Sequence, residues 1–233
     1  MKYSVLDIVQ KATAELGLTP PASVVSSTDT TVIQMLGLLN ALCDELVKEK
    51  DWSALQTEYT LSTVALTDTY TFPSDYDRIL DNTEWNRSAR LPLLGPQSPA
   101  SWQQMKGWMI GAVQYSFRLL GNKLQVFPVP QSVVTLAFEY ISSAYVIDGT
   151  TQLPKLIITQ DSDKFVFDDR LLINGLKMKF KNANGLKSDT EMYDYDTLLN
   201  ALKGSDAGGA TLSLSRRNSG MPQANVPIGN WTL

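Results

Sequence analysis

The sequence predicts an α+β fold, with helices near both ends of the chain, antiparallel strands between them and an extended C-terminal tail. Three observations predict it. Apolar residues recur every three or four positions before residue 53 and after residue 168, as on the buried face of a helix. Between these regions the period falls to two, which is typical of strands. After residue 204 bulky apolar residues become sparse, and Gly, Ser, Asn and Pro dominate.

Two helices are predicted before residue 53. The first spans residues 4–16, where Ser4 and Asp7 have the spacing of a capping box. Asp29 can cap a second, longer helix that reaches about Lys50. We interpret Cys43 as a small buried residue, because no His, Arg or Lys lies beside it to activate the thiol. The apolar seam of the second helix comprises Val32, Leu36, Leu39, Cys43 and Leu46.

Strand signals fill the middle of the chain. Residues 55–72 alternate and are rich in Thr, Tyr and Val, with a turn at 66–68. Residues 114–120 and 123–127 are predicted to form a hairpin, because Gly121-Asn122 supplies the positive φ angles of a two-residue loop. Residues 133–147 predict one further long strand. The middle of the chain is therefore predicted to form an antiparallel sheet or sandwich.

Two more helices are predicted from residue 168 onward. Leu172, Ile173, Leu176 and Phe180 form one apolar face, and the lysines at 177, 179 and 181 fall largely outside it. A capping box of Ser188 and Glu191 predicts the start of the last helix, which Gly204 ends. Its predicted seam comprises Met192, Tyr195, Leu199 and Leu202.

These elements predict three parts of the chain. Residues 1–53 and 161–204 form a discontinuous helical bundle domain, because the ends of a domain usually lie close together. Residues 54–160 form an inserted, antiparallel β-sandwich-like domain. Residues 205–233 form the extended tail.

Composition excludes several kinds of chemistry. The chain has no histidine and one cysteine, which removes His-based triads, His-ligated zinc, thiolate clusters and intrachain disulfides. The formal net charge of -4 gives no overall electrostatic signal for nucleic-acid binding. The start of the chain lacks the pattern of a signal peptide, and no membrane segment is expected.

Paired carboxylates are the remaining candidates for a glycosidase or a divalent-metal site. Asp168 or Asp169 fits the first turn of a helix, where the helix dipole favours negative charge. The other pairs lie in loops or two positions apart on a helix, which does not direct them to one point. We therefore expect no catalytic residue, metal ligand or cofactor. The pairs are Asp75/Asp77, Asp161/Asp163, Asp168/Asp169 and Asp194/Asp196.

Two interpretations of the tail stay open. It can be a disordered terminus, as termini often are. Alternatively, it becomes ordered on a neighbouring molecule, with residues 210–216 adding a strand and an aromatic anchor near residue 231. The second interpretation makes Leu212, Leu214, Arg216, Arg217, Trp231 and Leu233 partner-binding residues.

Residues 72–107, the motif segment, carry an unusual pattern of Pro, Gly and Trp. It reads F-P-S-D-Y-D-R and then W-N-R-x4-P-L-x-G-P-x-S-P-x2-W-x3-K-G. The pattern resembles the head-to-tail connectors, or tail tubular protein A family, of short-tailed bacteriophages, and we expect an architectural role for it. The residues that carry the resemblance are Pro73, Asp75, Tyr76, Arg78, Trp85, Arg87, Pro92, Leu93, Gly95, Pro96, Ser98, Pro99, Trp102, Lys106 and Gly107.

The resemblance implies a structural virion protein and no enzyme. It implies a homo-oligomeric ring, a dodecamer, assembled in the host cytoplasm and found in the neck of the virion. One face docks on the portal, which the tail reaches, and the other receives a nozzle similar to tail tubular protein B. DNA passes through the lumen during ejection without specific binding. An acidic excess suits such a lumen, since neutralising phosphates creates affinity.

Two alternatives remain open on the sequence. The chain can be a nozzle or tail-completion protein of the same tail. It can also be a carboxylate-based, virion-associated hydrolase, which would need two carboxylates facing one cleft of the β region.

Overall fold

A computed structural model describes residues 2–108 and 114–206 and confirms the mixed α+β class. The helices follow the predicted order, with one addition inside the motif segment. The helices of the described residues are α1 (Val5–Glu15), α2 (Thr30–Glu49), α3 (Pro99–Trp108), α4 (Asp169–Ala183) and α5 (Asp189–Asp206).

The strands form three antiparallel sheets. Their bounds are β1 (Gln56–Ser62), β2 (Thr69–Thr71), β3 (Tyr76–Ile79), β4 (Trp85–Asn86), β5 (Leu91–Pro92), β6 (Ser116–Leu119), β7 (Lys123–Phe127), β8 (Thr135–Ser142), β9 (Val146–Ile147), β10 (Pro154–Lys155) and β11 (Lys164–Phe165). In the largest sheet β8 pairs with β1 on one side and with β3 and β4 on the other. The smaller sheets have the orders β2-β7-β6 and β10-β9-β11.

Helices begin at the four predicted positions, but the capping box predicted for α5 is wrong. Ser4 and Asp7 form the capping box of α1, and the side chains of Asp29 and Asp168 cap α2 and α4. The predicted box at α5 is absent: the Ser188 hydroxyl donates to Asn182 Oδ1, and Glu191 accepts from Lys181 at 2.5 Å. A nearby lysine and amide therefore outcompete the backbone groups for these two side chains.

The helices share one hydrophobic cluster. It joins the buried faces of α1, α2, α4 and α5 with residues from 141 to 167. Cys43 is fully buried there, and burial raises the pKa of its thiol well above the ordinary value, as expected of an inert core residue. By length and composition alone α2 could span a membrane, but its apolar residues form part of this cluster.

Two helical positions differ from the prediction. Lys177 is buried because α1 packs against α4 and brings Glu15 within 2.5 Å of its ammonium group. Met192 is exposed, because the buried residues that α5 contributes to the cluster are Tyr195 and Leu199. Leu202 packs against the cluster from a partly buried position.

A second cluster fills the region of β1, β2 and β6 to β8. The predicted hairpin is confirmed, with Gly121 at a φ of 58° between β6 and β7. The prediction of a single long strand over residues 133–147 is wrong. It divides into β8 and β9, because Ser143 N–H leaves the ladder to donate to Asp75 O at 2.7 Å.

Candidate interaction site

Arg78 of the motif segment joins the sheet to the helices. Its guanidinium donates to the carbonyl oxygens of Val47 and Lys50, each at 3.0 Å, at the C-terminal end of α2. It also pairs with Asp77 and Asp51, each at 2.7 Å. A cation placed on the last carbonyls of a helix satisfies acceptors that have no partner within the helix and complements its dipole. Arg78 therefore fixes α2 against β3.

We expect Arg78→Ala to lower the free energy of unfolding by about 1.5–3 kcal/mol, the usual range for losing charged hydrogen bonds. Arg78→Lys should recover little, because an ammonium cannot reproduce the forked donors. The matched control is Arg87→Ala, which removes a half-exposed pair with Glu58 and should cost less than about 1 kcal/mol. Urea unfolding measures all three. Equal losses for Arg78→Ala and Arg87→Ala would contradict the capping role.

Asp75 fixes the other end of β3. Its carboxylate accepts from Tyr140 Oη at 3.1 Å and from Ser142 Oγ at 2.6 Å, while its carbonyl oxygen accepts from Ser143 N–H. Burial and the nearby Asp75 charge raise the pKa of Tyr140 to about 12, so its phenol stays a donor. Asp75 thus holds the bend that separates β8 from β9.

Gly95 allows a close approach of two backbone segments. A Cβ atom built at this position would lie 2.5 Å from the Phe117 carbonyl oxygen and 2.7 Å from its ring. Leu94 N–H donates to Tyr115 O and Gln97 N–H to Phe117 O, each at 2.9 Å, so the backbone contact extends on both sides of Gly95. A Cβ atom built at Gly107, by contrast, would have no neighbouring atom within 4 Å.

The two motif glycines should therefore respond in opposite directions. We expect Gly95→Ala to destabilise by about 1–3 kcal/mol, because the added methyl group overpacks against backbone that cannot yield easily. Gly107→Ala should stabilise α3 by up to about 0.5–1 kcal/mol, since alanine loses less backbone entropy in a helix. Thermal unfolding of both variants distinguishes them. A neutral Gly95→Ala would contradict the close contact.

Trp102 is the largest fully buried side chain of the motif segment. It lies on α3, which begins at Pro99 and is capped by Ser98, whose Oγ accepts from Ser101 N–H at 3.2 Å. Its ring meets Phe127 edge-on at 6.0 Å between centroids, and the Arg118 guanidinium lies 4.9 Å from the ring centre. These contacts attach α3 to the β6–β7 hairpin.

Asp163 organises a loop that the sequence presents only as polar. The carboxylate is 0% exposed and accepts from Lys155 Nζ at 2.6 Å and from three backbone N–H groups, those of Gly149, Thr159 and Gln160. Burial alone would raise the pKa of Asp163, but these donors outweigh it and the pKa is lowered. Residues 148–163, the Asp163 loop, are therefore held in one shape.

The Asp163 loop presents apolar side chains to solvent. Leu153 and Ile157 are 64% and 69% exposed on this fixed backbone. A second exposed group, the apolar tip, comprises Val64, Leu66 and Val133. It is held together because Thr63 N–H donates to Val134 O and Leu66 N–H to Pro130 O. Apolar side chains that together form a contiguous exposed patch are a feature of interaction surfaces.

Three of the candidate carboxylates have structural or exposed positions. Asp168 is a helix cap, Asp163 a loop centre, and Asp194 is exposed. The structure instead places Glu58 opposite Glu139 on β1 and β8, beside a cavity of about 300 Å³. Glu58 pairs with Arg87 across it. No group of three or more His, Cys, Asp or Glu side chains in residues 2–108 and 114–206 could hold a metal.

The remaining motif residues lie in the strands and turns of the β region, where Leu93 is part of the second cluster and Tyr76 packs against it. Trp85 and Pro92 face each other on β4 and β5, and Pro73 accepts from Tyr76 N–H in the turn before β3. Pro96 follows Gly95 before α3. The predicted tail contacts Leu212, Leu214, Arg216, Arg217, Trp231 and Leu233 lie outside the described residues.

In these contacts the motif residues serve packing and helix capping. A family model described as SU10 adaptor protein matches residues 3–217. The chain therefore belongs to the SU10 adaptor protein family, and its resemblance to phage head-to-tail adaptors is confirmed. Among curated proteins no match is found.

Proposed function

We propose that this protein is a head-to-tail adaptor of a bacteriophage. It forms a homo-oligomeric ring, a dodecamer, that docks on the portal and joins it to a nozzle similar to tail tubular protein B. DNA passes through the lumen of the ring during ejection. The observation that carries this proposal is the family match over residues 3–217. It favours an adaptor over the nozzle and hydrolase alternatives.

The division of the chain supports a ring subunit. Residues 1–53 and 161–204 form the helical unit, and residues 54–160 the inserted β unit. The second hydrophobic cluster lies within residues 54–160, whereas the first also takes in Leu55, Ile141, Tyr145, Val146 and Ile158 of that range, and Arg78 connects the units. Rigid units with a fixed connection suit a neck that must hold its shape while DNA moves through it.

Two separate apolar surfaces support contacts between copies. A ring closes through two different faces of each subunit, one of which docks on the complementary face of its neighbour. The Asp163 loop and the apolar tip are fixed surfaces of this kind. We assign both to the contacts within the ring or with the nozzle.

The tail supplies the portal contact in this proposal. Its alternating segment and its aromatic end have the features of strand addition and of a buried anchor. We assign the portal contact to Leu212, Leu214, Arg216, Arg217, Trp231 and Leu233.

The experiment is a truncation after Asp206, the last residue of α5. We expect the shortened chain to remain folded but to lose binding to portal-containing capsids in co-sedimentation. Trp231→Ala combined with Leu233→Ala should weaken binding in the same assay, and Ser219→Ala serves as the control. Completion of particles by the truncated chain would overturn the tail's role.

A further inference from the structure

Strand β1 has a free edge. Its seven residues pair with β8 on one side, and no described residue pairs with the other. The unpaired N–H and C=O groups of such an edge are a template for another strand. Edges that must stay free usually carry lysine, proline or a bulge. β1 contains none of these, and its one charged side chain, Glu58, is paired with Arg87.

The end of α5 lies beside the start of this edge. Asp206 Oδ2 accepts from Ser53 N–H at 3.1 Å, and Asp206 also pairs with Lys50 at 3.3 Å. Lys50 Nζ further donates to Lys203 O at 2.6 Å, so the last turn of α5 is attached at two points. Ser53 comes three residues before β1, so the last described turn of α5 ends near the start of that strand.

The sequence after Asp206 matches the edge in length and pattern. Residues 207–209, Ala-Gly-Gly, can turn the chain from a helix into an extended course. Residues 210–215 then alternate apolar and polar side chains over six positions, and with Arg216 the segment has seven residues, the length of β1. Tyr59 and Leu61 form the apolar side of β1 and pack against the second cluster.

The attachment defines a trial register. Ser53 and Asp206 are 153 positions apart, and if both segments run on at equal spacing the same separation relates Tyr59 to Leu212 and Leu61 to Leu214. Because side chains in a strand alternate between faces, this register puts the apolar residues of both segments on the same face. The polar residues Thr60 and Ser213 fall together on the opposite face.

We propose that residues 210–216 add to the largest sheet as a strand parallel to β1 of the same chain. This deepens the proposed function, in which the tail binds the portal, but it does not depend on it. One flank of Leu212 and Leu214 then remains at the outer edge of the sheet, where a portal surface can cover it. The residues after 217 continue toward the portal from a fixed starting point.

The test is disulfide trapping in the full chain, without any other virion protein. The only native cysteine, Cys43, is fully buried and should not compete. Thr60→Cys with Ser213→Cys places two thiols in register. Ser62→Cys with Thr211→Cys, the control, sets thiols in the same two segments out of register by four residues, about 13 Å.

Under mild oxidation of dilute protein we expect the in-register pair to form an intramolecular disulfide at least tenfold faster than the control pair. Intact mass and non-reducing electrophoresis measure this. Equal rates, or cross-linked dimers as the main product, would overturn the assignment to the chain's own β1. Since no portal is present, failure here is distinct from failure of the truncation assay.

A second measurement is hydrogen exchange in the full chain carrying Ser213→Pro, since proline removes a donor and disfavours a paired strand. We expect the outward-facing amides of β1 to exchange at least tenfold faster than in the native chain. The β1 amides that bond β8 should be unchanged. An unchanged β1 would contradict the added strand.

Discussion

Trp102→Ala should lower the free energy of unfolding by about 3–5 kcal/mol, the usual cost of emptying a large aromatic site. Trp102 is fully buried between α3 and the β6–β7 hairpin, and alanine leaves a cavity that the Phe127 ring and the Arg118 side chain border. The loss should be large because two attached elements border the cavity and limit its collapse.

Chemical denaturation of Trp102→Ala measures this loss. The matched control is Gln103→Ala, the next residue of α3, whose side chain is exposed and should change stability by less than about 0.5 kcal/mol. Normal stability of Trp102→Ala would mean that the tryptophan is a contact with another molecule and not part of the fold.

Asp163→Asn should destabilise by about 1.5–3 kcal/mol, because it leaves the partly buried Lys155 without its nearest counter-charge. The amide also presents N–H groups where the carboxylate accepted from the backbone of Gly149, Thr159 and Gln160. The Asp163 loop should lose its fixed shape first. Asp194→Asn on the exposed face of α5 is the control and should be neutral.

The pH dependence of the Asp163 effect has a defined sign. The pKa of Asp163 is lowered on folding, so the folded state binds fewer protons than the unfolded state. Its contribution is complete above the unfolded value of about 3.9 and is lost as pH falls through the lower folded value. The stability difference between native and Asp163→Asn protein should therefore be constant from pH 6 to 8 and narrow below about pH 4. A difference that widens on acidification would contradict this role.

Local signals predicted most helices and the hairpin. Ser4, Asp29 and Asp168 act within a few residues of their own position, so their caps could be read directly. The same logic was available for α3, where Ser98 precedes Pro99 at the first helical position. The surrounding Pro and Gly residues obscure this start, and no helix is predicted from sequence in the motif segment.

What sequence reasoning missed depends on contacts between distant residues. Arg78 reaches α2 across 28 to 31 positions, and Lys177 is buried only because Glu15 lies on another helix. Ser143 leaves the β8 ladder for the backbone of Asp75. The spacing of apolar residues along the chain gives no information about contacts between residues so far apart in sequence. The motif identified the family, but its residues had to be placed in space before their packing and capping contacts were visible.

Cryo-electron microscopy of the neck of the encoding phage tests the central claim most directly. We expect this chain as a closed ring between portal and tail, with the helical and β units joined at Arg78 and residues beyond 217 reaching the portal. A ring in that position with twelve copies would agree with the account. Density for this chain elsewhere in the virion, or its absence from the particle, would contradict it.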